Sequence, residues 1–347
     1  MSLLSLDNVS KRFGPAEVLK GVSLDIAAGE FVVLIGGSGS GKTTLLRLVA
    51  GLERADTGVI ALRGEAVDHP AAGRFTPTER RRLAMVFQDY ALWPHFTCLQ
   101  NVEAAVRGAG PARRARATQL LDRVGMAAFA DKRPHQISGG QQQRVGVARA
   151  LAAEPDLLLF DEALSSLDVD IREHLRLQIR DLARETGAAA LFVSHDPTDA
   201  WRLADTVAVL ENGRLVQVAT PSALYEKPAT ARVARFIGAA GGFVATVEAD
   251  NGKPAVRLGG RLFPIAPTAV PPGAAGLVYV RPEGIKAARN GAPAALAFSA
   301  FEAGRWRAYW SLAGAEALVC SLETQPPPAT TRLAIAAEHI LVFPAER

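Results

Sequence analysis

Short apolar runs alternate with longer stretches of helical period along the first two thirds of the chain. EFVVLIG (30–36), LAMVFQ (83–88), DLLLFDE (156–162) and AAALFVSHD (188–196) have the length and continuity of strands buried on both faces. Between them, KTTLLRLVAGL (42–52), QQRVGVARALAAE (142–154) and VDIREHLRLQIRDLARETG (169–187) have the length and period of helices. Alternation of this kind predicts a parallel sheet covered by helices. The opening segments SLLSLDNVS and VLKGVSLDI predict antiparallel strands beside that sheet, polar on one side. After about residue 238 the pattern changes. GAAGGFVATVEADNGKPAVRLGGRLFPIAPTAVPPG, and then LVYVRPEGI, RWRAYWSLAG and TQPPPATT, are short strands punctuated by Gly and Pro, which predicts a small all-β domain. The expected organisation is a domain over 1–237 and a second over 238–347.

Composition narrows the class. With 347 residues and 49% hydrophobic content, the chain has ample material for one large and one smaller core. No apolar run approaches the roughly eighteen residues of a membrane-spanning helix. MSLLSLDNVSKRFG lacks a basic segment followed by a long apolar stretch, so no secretion signal is read. Cys98 and Cys320 are far apart and without CxxC or CxxH spacing, which argues against a zinc site or a disulfide framework and points to the cytosol. A formal charge of +4 is mild for this length and does not demand nucleic acid. The arginines of TERRRL (78–83) and PARRARATQLLDRVG (111–125) are read as solvated helix faces.

Two stretches look built to hold phosphate. GGSGSGKTT (36–44) fits GxxxxGK[ST], with Gly36, Gly37, Ser38, Gly39, Ser40, Gly41, Lys42, Thr43 and Thr44 leaving a predicted strand and opening a predicted helix. Glycines let backbone N–H groups turn inward around phosphates, the helix end favours negative charge, and Lys42 supplies a point charge. Thr43 places its hydroxyl where Mg²⁺ sits. Downstream, a buried strand ends in Asp161 and Glu162. Adjacent carboxylates there imply a cation, because an unpaired buried charge is costly. Asp161 is the candidate for holding Mg²⁺ and Glu162 for polarising the attacking water. The second stretch is ISGGQQQR (137–144), about a hundred residues on.

The ordered set GGSGSGKTT, VFQ (86–88), ISGGQQQR, LLLFDEALSSLD (157–168) and VSHD (193–196) resembles the nucleotide-binding subunit of an ATP-binding cassette (ABC) transporter over residues 3 to 237. VYVRPEGIKAA (278–288) resembles the TOBE-like β domain, of OB type, appended to importer ATPases of the maltose, polyamine, ferric-iron and sulfate group. The fold this implies is an α/β P-loop NTPase cassette with an antiparallel β subdomain, a helical subdomain and a small C-terminal all-β domain.

The resemblance also implies residue roles. Ser138, Gly139, Gly140 and Gln141, with Asp168, would serve the ATP of a partner subunit in a head-to-tail homodimer. Gln88 would sense Mg²⁺, His195 would contact the γ-phosphate, and Phe13 would stack on adenine where relatives usually have Tyr. Trp93 and Phe96, in YALWPHFTCLQNV (90–102), fall where two integral-membrane permease subunits dock at the cytoplasmic face of the membrane, a substrate-binding protein acting beyond them. Gly37, Ile137 and Ala163 depart from the commoner Pro, Leu and Pro, and none removes a group the chemistry uses. Polyamine, ferric iron and inorganic anion stay open as cargo. A regulatory ATPase whose β domain senses a ligand or partner remains an alternative. A P-loop phosphotransferase would have no use for the second loop, and an ABC-type repair ATPase would carry long heptads that residues 45–136 lack.

Overall fold

The computed structural model describes residues 2–164, 169–250, 252–313 and 317–345. Asp168 lies outside the described residues. The chain divides into two compact units, Met1–Leu224 and Tyr225–Arg347.

The first unit opens with β1 (Ser2–Phe13) and β2 (Ala16–Ala27), which pair antiparallel. In β2, Val22, Leu24 and Ile26 are buried while Ser23 and Asp25 are exposed, the alternation of a sheet with one wet face. β3 (Phe31–Ile35) follows, buried at every position, and leads to α1 (Lys42–Ala50). β4 (Thr57–Leu62), β5 (Glu65–His69) and β6 (Arg74–Phe75) then join the antiparallel sheet, whose order is β2-β1-β4-β5-β6.

The second sheet takes β7 (Leu83–Val86), β8 (Leu157–Asp161), β9 (Ala189–Ser194), β10 (Thr206–Glu211) and β11 (Arg214–Ala219) in the order β11-β10-β3-β9-β8-β7. Its neighbours run parallel from β10 to β7, and β11 returns antiparallel on β10. This is the predicted parallel sheet, with one correction. β7 was expected to be buried on both faces, yet Leu83, Ala84 and Met85 are only half-buried, because β7 ends the sheet and has a neighbour on one side alone.

Alternation along the strands sorts the core into two faces. Val32, Leu34, Leu159, Leu191 and Val193 pack with Leu45, Leu46, Leu48 and Val49 of α1. On the other face Phe31, Phe160 and Phe192 gather, with ring centroids 5.3 to 6.5 Å apart. Each such side chain contributes about 1.5–3 kcal/mol on burial. The consequence for function is register. Ile35 lies opposite Ser194 and Asp161 opposite Val193, so the segments that leave β3, β8 and β9 emerge at one edge.

Inserted between β7 and β8, α2 (Cys98–Glu103), α3 (Pro111–Arg123) and α4 (Gly139–Ala152) pack on one another. α4 begins three residues before the apolar period suggested, because Ser138 and Gln141 form a capping box that nucleates the extra turn. α5 (Val169–Thr186) and α6 (Pro197–Leu203) flank β9 in the chain and pack together. α7 (Pro221–Glu226) straddles the division of the chain.

In the second unit α8 (Ala231–Phe236) precedes the strands. Compositionally this helix looks like part of the first domain, but Ala234 and Ala239 pack with Tyr279 and Phe343, which places it here. Strands Ala240–Asp250, Lys253–Leu258, Arg261–Pro264, Ala275–Val280 and Ile340–Pro344 form one sheet, and Ile285–Glu302, Arg305–Leu312, Leu318–Glu323 and Thr330–Ile335 the other. Their shared core includes Phe243, Val247, Val278, Trp310 and Leu333. Trp310 Nε1 donates to Ser321 Oγ at 2.9 Å, so the buried indole is satisfied. The all-β expectation holds for this region.

Cys98 and Cys320 are both free and buried, and burial pushes each thiol above its ordinary pKa. Among the described residues no helix is long and apolar enough to cross a membrane.

Candidate functional site

The loop between β3 and α1 is shaped by two glycines, Gly36 and Gly41, that a residue with a side chain would replace only with strain. A Cβ on Gly36 would lie 2.3 Å from the Leu210 carbonyl oxygen, so the chain can pass under β10 only without a side chain. Gly41, the N-cap of α1, has φ 105°, a backbone state that disfavours other residues. Around Gly37 and Gly39 a Cβ would meet nothing within 4 Å, leaving the mouth of the loop open. The hydroxyl of Ser40 is buried there with no partner.

Lys42 is buried and folds back on its own loop, donating to the carbonyls of Gly36 at 3.0 Å and Gly37 at 3.1 Å. Burial pushes its pKa down, and the nearby charges of Glu162 and Asp161 oppose that. Thr43 Oγ1 donates to Asp161 Oδ1 at 3.1 Å, across from α1 to the end of β8. Burial drives the Asp161 carboxyl upward, partly offset by that hydroxyl. A hydroxyl and a buried carboxylate facing each other are hard oxygen donors of the type Mg²⁺ takes. With the orphaned Ser40 hydroxyl and the open glycine cradle, the residues present fit a magnesium-bound polyphosphate.

Glu162 adopts φ 47°, rare for a residue with a side chain, and its N–H donates to Val193 O at 3.2 Å. The bend turns its carboxylate toward the loop after β9. His195 Nδ1 lies 3.6 Å from Glu162 Oε2, with the imidazole 60% exposed. Phe13, at the end of β1, is 47% exposed with the Lys11 ammonium 5.2 Å from its ring centroid. Thr44 continues the first turn of α1, and Ser38 is exposed at the loop tip.

Gln88 is exposed just past β7. Beyond it Tyr90 and Ala91 both take positive φ, 62° and 45°. Arg149 of α4 clasps this bend, donating to Ala91 O at 2.6 Å and Tyr90 O at 3.3 Å, while its guanidinium lies 5.1 Å from the Trp93 ring. Trp93 is exposed, and half-buried Phe96 packs against it at 5.6 Å.

The second glycine loop is built differently. Ser138 caps α4 by accepting from Gln141 N at 3.4 Å, and Gln141 Oε1 accepts from Ser138 N at 2.9 Å. Ser138 is exposed, Gly140 is buried, and a Cβ on Gly139 would lie 2.8 Å from the Tyr90 hydroxyl. α4 packs on α2, α3 and β7, whereas α1 packs on β2, β8 and β9. One edge of the parallel sheet therefore carries Lys42, Thr43, Asp161, Glu162 and His195, and the Ser138 loop belongs to the helical insertion.

Sequence reasoning missed Arg149 and Arg176. Arg176 is buried on α5 and bonded to Asp196 and Asp199. The aspartates left a trace, since Asp-Pro-x-Asp after a strand announces a helix cap. The arginines left none, because their partners lie on other elements.

A family model described as ABC transporter matches residues 19–165. The spermidine/putrescine import ATP-binding protein PotA of Marinobacter nauticus is 43% identical over 254 residues, covering 72% of this chain and 66% of that protein. The Fe(3+) ions import ATP-binding protein FbpC of Escherichia coli O157:H7 is 40% identical over 293 residues, 84% of this chain and 81% of its own length. Among solved structures, a dimeric post-hydrolysis state of the ATP-binding cassette MJ0796 bound to ADP and Pi aligns with a TM-score of 0.54 and 34% identity, over 63% of this chain and 98% of that one.

Proposed function

This chain is an ATP-hydrolysing member of the ATP-binding cassette transporter family, resembling its importer-type subunits, and from that premise we propose that two copies close head to tail over ATP to drive a membrane importer. Each copy then brings half of every catalytic pocket. From one come the Gly36–Thr44 amides, Lys42 and Phe13, the last stacking on adenine. From the other come Ser138, Gly139, Gly140, Gln141 and Asp168.

On ATP binding Lys42 exchanges the Gly36 and Gly37 carbonyls for β- and γ-phosphate oxygens. Thr43 and Asp161 are the groups that would hold Mg²⁺, with Gln88 reaching in from the end of β7. Bound there, the ion supplies neutralisation of phosphate charge. Glu162 orients the attacking water and accepts its proton, and His195 meets the γ-phosphate. A single helix end offers only about 0.3–1 kcal/mol when exposed and up to about 2 when partly buried. Closure therefore draws on the Ser138 hydroxyl, the glycine amides and the α4 dipole together.

The observation that supports this reading best is the Thr43–Asp161 pair at 3.1 Å, a cation site in the making beside a carboxylate bent toward an exposed histidine. Replacing Glu162 by Gln tests it. ATP binding should persist, turnover should fall by about 10²–10⁴-fold, and size exclusion in ATP should show an accumulated dimer. Undiminished turnover would remove Glu162 from the mechanism.

Trp93 and Phe96 form the docking face for the permease subunits, which hold this chain at the cytoplasmic side of the membrane and receive cargo from a substrate-binding protein. Relatives named for spermidine/putrescine and for Fe(3+) share similar cassettes, consistent with cargo being chosen elsewhere. Polyamine, ferric iron and an inorganic anion are the classes proposed here.

A further inference from the structure

A buried ionic cluster beside the site plays no part in the mechanism above. Arg176 of α5 has a side chain only 3% exposed. Its Nε donates to Asp199 Oδ1 at 2.5 Å, Nη2 to Asp196 Oδ2 at 2.7 Å and Nη1 to Glu173 Oε1 at 2.8 Å. Asp199 also accepts the hydroxyl of Ser194, and Ser194 Oγ in turn accepts from Asp196 N at 2.9 Å. Asp196 then caps α6 through Thr198 N at 2.8 Å.

The electrostatics of the two aspartates differ. Burial pushes Asp199 up despite Ser194 and Arg176, whereas at Asp196 the Thr198 amide and Arg176 outweigh burial and hold the carboxyl low. Burial lowers Arg176, but its aspartates outweigh that and raise it. Taking this much charge out of water is costly, and an apolar cluster of similar volume often stabilises a fold as well or better. What ions add is direction, through short bonds of fixed geometry.

The direction here concerns His195. Its imidazole is 60% exposed, so packing does not orient it. Its backbone, however, is held on both sides: Ser194 before it through Asp199, and Asp196 after it directly, both by one guanidinium. On the same strand Val193 accepts from Glu162 N, so the bracket also fixes the histidine relative to the candidate base. Arg176 itself sits seven residues into α5, about 10 Å along the helix, from the end that adjoins residues 165–168.

We infer that Arg176 is a positioning residue for ATP hydrolysis, which holds His195 within reach of Glu162 and ties the His195 loop to α5. This rests on the reading of His195 as the group that meets the γ-phosphate. Arg176 touches neither nucleotide nor water; it acts through its neighbours.

The test is a double-mutant cycle on the full chain, with steady-state ATPase measured against ATP concentration for Arg176→Met, Ser194→Ala, His195→Ala and each of the first two combined with the third. Arg176→Met should lower kcat about 30-fold and Ser194→Ala about fivefold, each with KM for ATP within about twofold. On the His195→Ala background neither should cost more than about twofold further, because residues acting through one group are not additive. Equal fold-losses in both backgrounds, the signature of a merely structural role, overturn the inference, as does a change confined to KM. If Arg176→Met does not fold, the Ser194→Ala cycle decides by the same criterion. Undiminished kcat in His195→Ala would sink the reading of His195 and the inference with it. A loss there combined with additive cycles sinks the inference alone.

Discussion

The two glycine loops of the first unit use similar chemistry and are finished differently. The loop of Gly36–Thr44 is satisfied inward: Lys42 bonds its own carbonyls, Thr43 bonds Asp161, and the strands β3, β8 and β9 hold the floor beneath. The loop of Ser138–Gln141 is held by its own capping box, with Ser138 exposed at the helix end. An inward loop can be completed by a ligand alone. An outward one is completed by whatever brings an acceptor to it, which in the proposed mechanism is an ATP held by a second copy.

The largest effect should come from the inward loop. Lys42→Ala removes the ammonium that bonds the Gly36 and Gly37 carbonyls, and hydrogen bonds to charged groups are worth about 1.5–3 kcal/mol each. Nucleotide affinity should fall at least tenfold and turnover below detection, measured by titration calorimetry and phosphate release. The outward loop should behave otherwise. Ser138→Arg should leave nucleotide affinity of the single subunit unchanged while reducing turnover about 30-fold, because the side chain blocks approach of the partner and removes the cap.

Mixing those two variants sharpens the contrast. A symmetric pair that shares its sites would regain about a quarter of wild-type turnover, since half the dimers hold one undamaged pocket. If both loops served the same nucleotide within one chain, mixing would restore nothing.

The smallest effect concerns charge. Burial raises the Asp161 pKa above 3.8. A raised folded-state pKa gives stability that is complete below the unfolded value and is lost as pH rises through the folded value. The Tm difference between Asp161→Asn and wild type, without nucleotide, should therefore grow more positive from pH 4 toward neutrality. Ser138→Ala, in a loop whose cap carries no titratable group, should show a flat difference over the same scan. A flat Asp161 profile would mean that no buried charge is being relieved.

Legibility followed the same division. GGSGSGKTT was readable because its glycines, lysine and threonine stand at fixed spacing within nine positions, even though the Leu210 carbonyl that demands Gly36 lies on β10. Asp161 and Glu162 were readable as polar residues ending an apolar run. The apolar period opens three residues after α4 does, since it marks packing, whereas Ser138 as a helix cap marks the start near Gly140. β7 resembles β8 in composition but not in burial, because edge position is a property of the sheet. Arg149 and Arg176 carry no local mark that separates them from other helix arginines. Their partners, the Tyr90–Ala91 carbonyls and the aspartates after β9, are distant in sequence.

Sequence by itself determined which chemistry this protein can perform, because phosphate loops, strand-end carboxylates and helix caps are specified by residues within a few positions of one another. Tertiary structure alone decided where that chemistry is aimed. Strand register brought Asp161 to Thr43 and Glu162 to His195, and long-range ion pairing set Arg176 against Asp196 and Asp199, since a buried charge finds its partner through the fold and not along the chain.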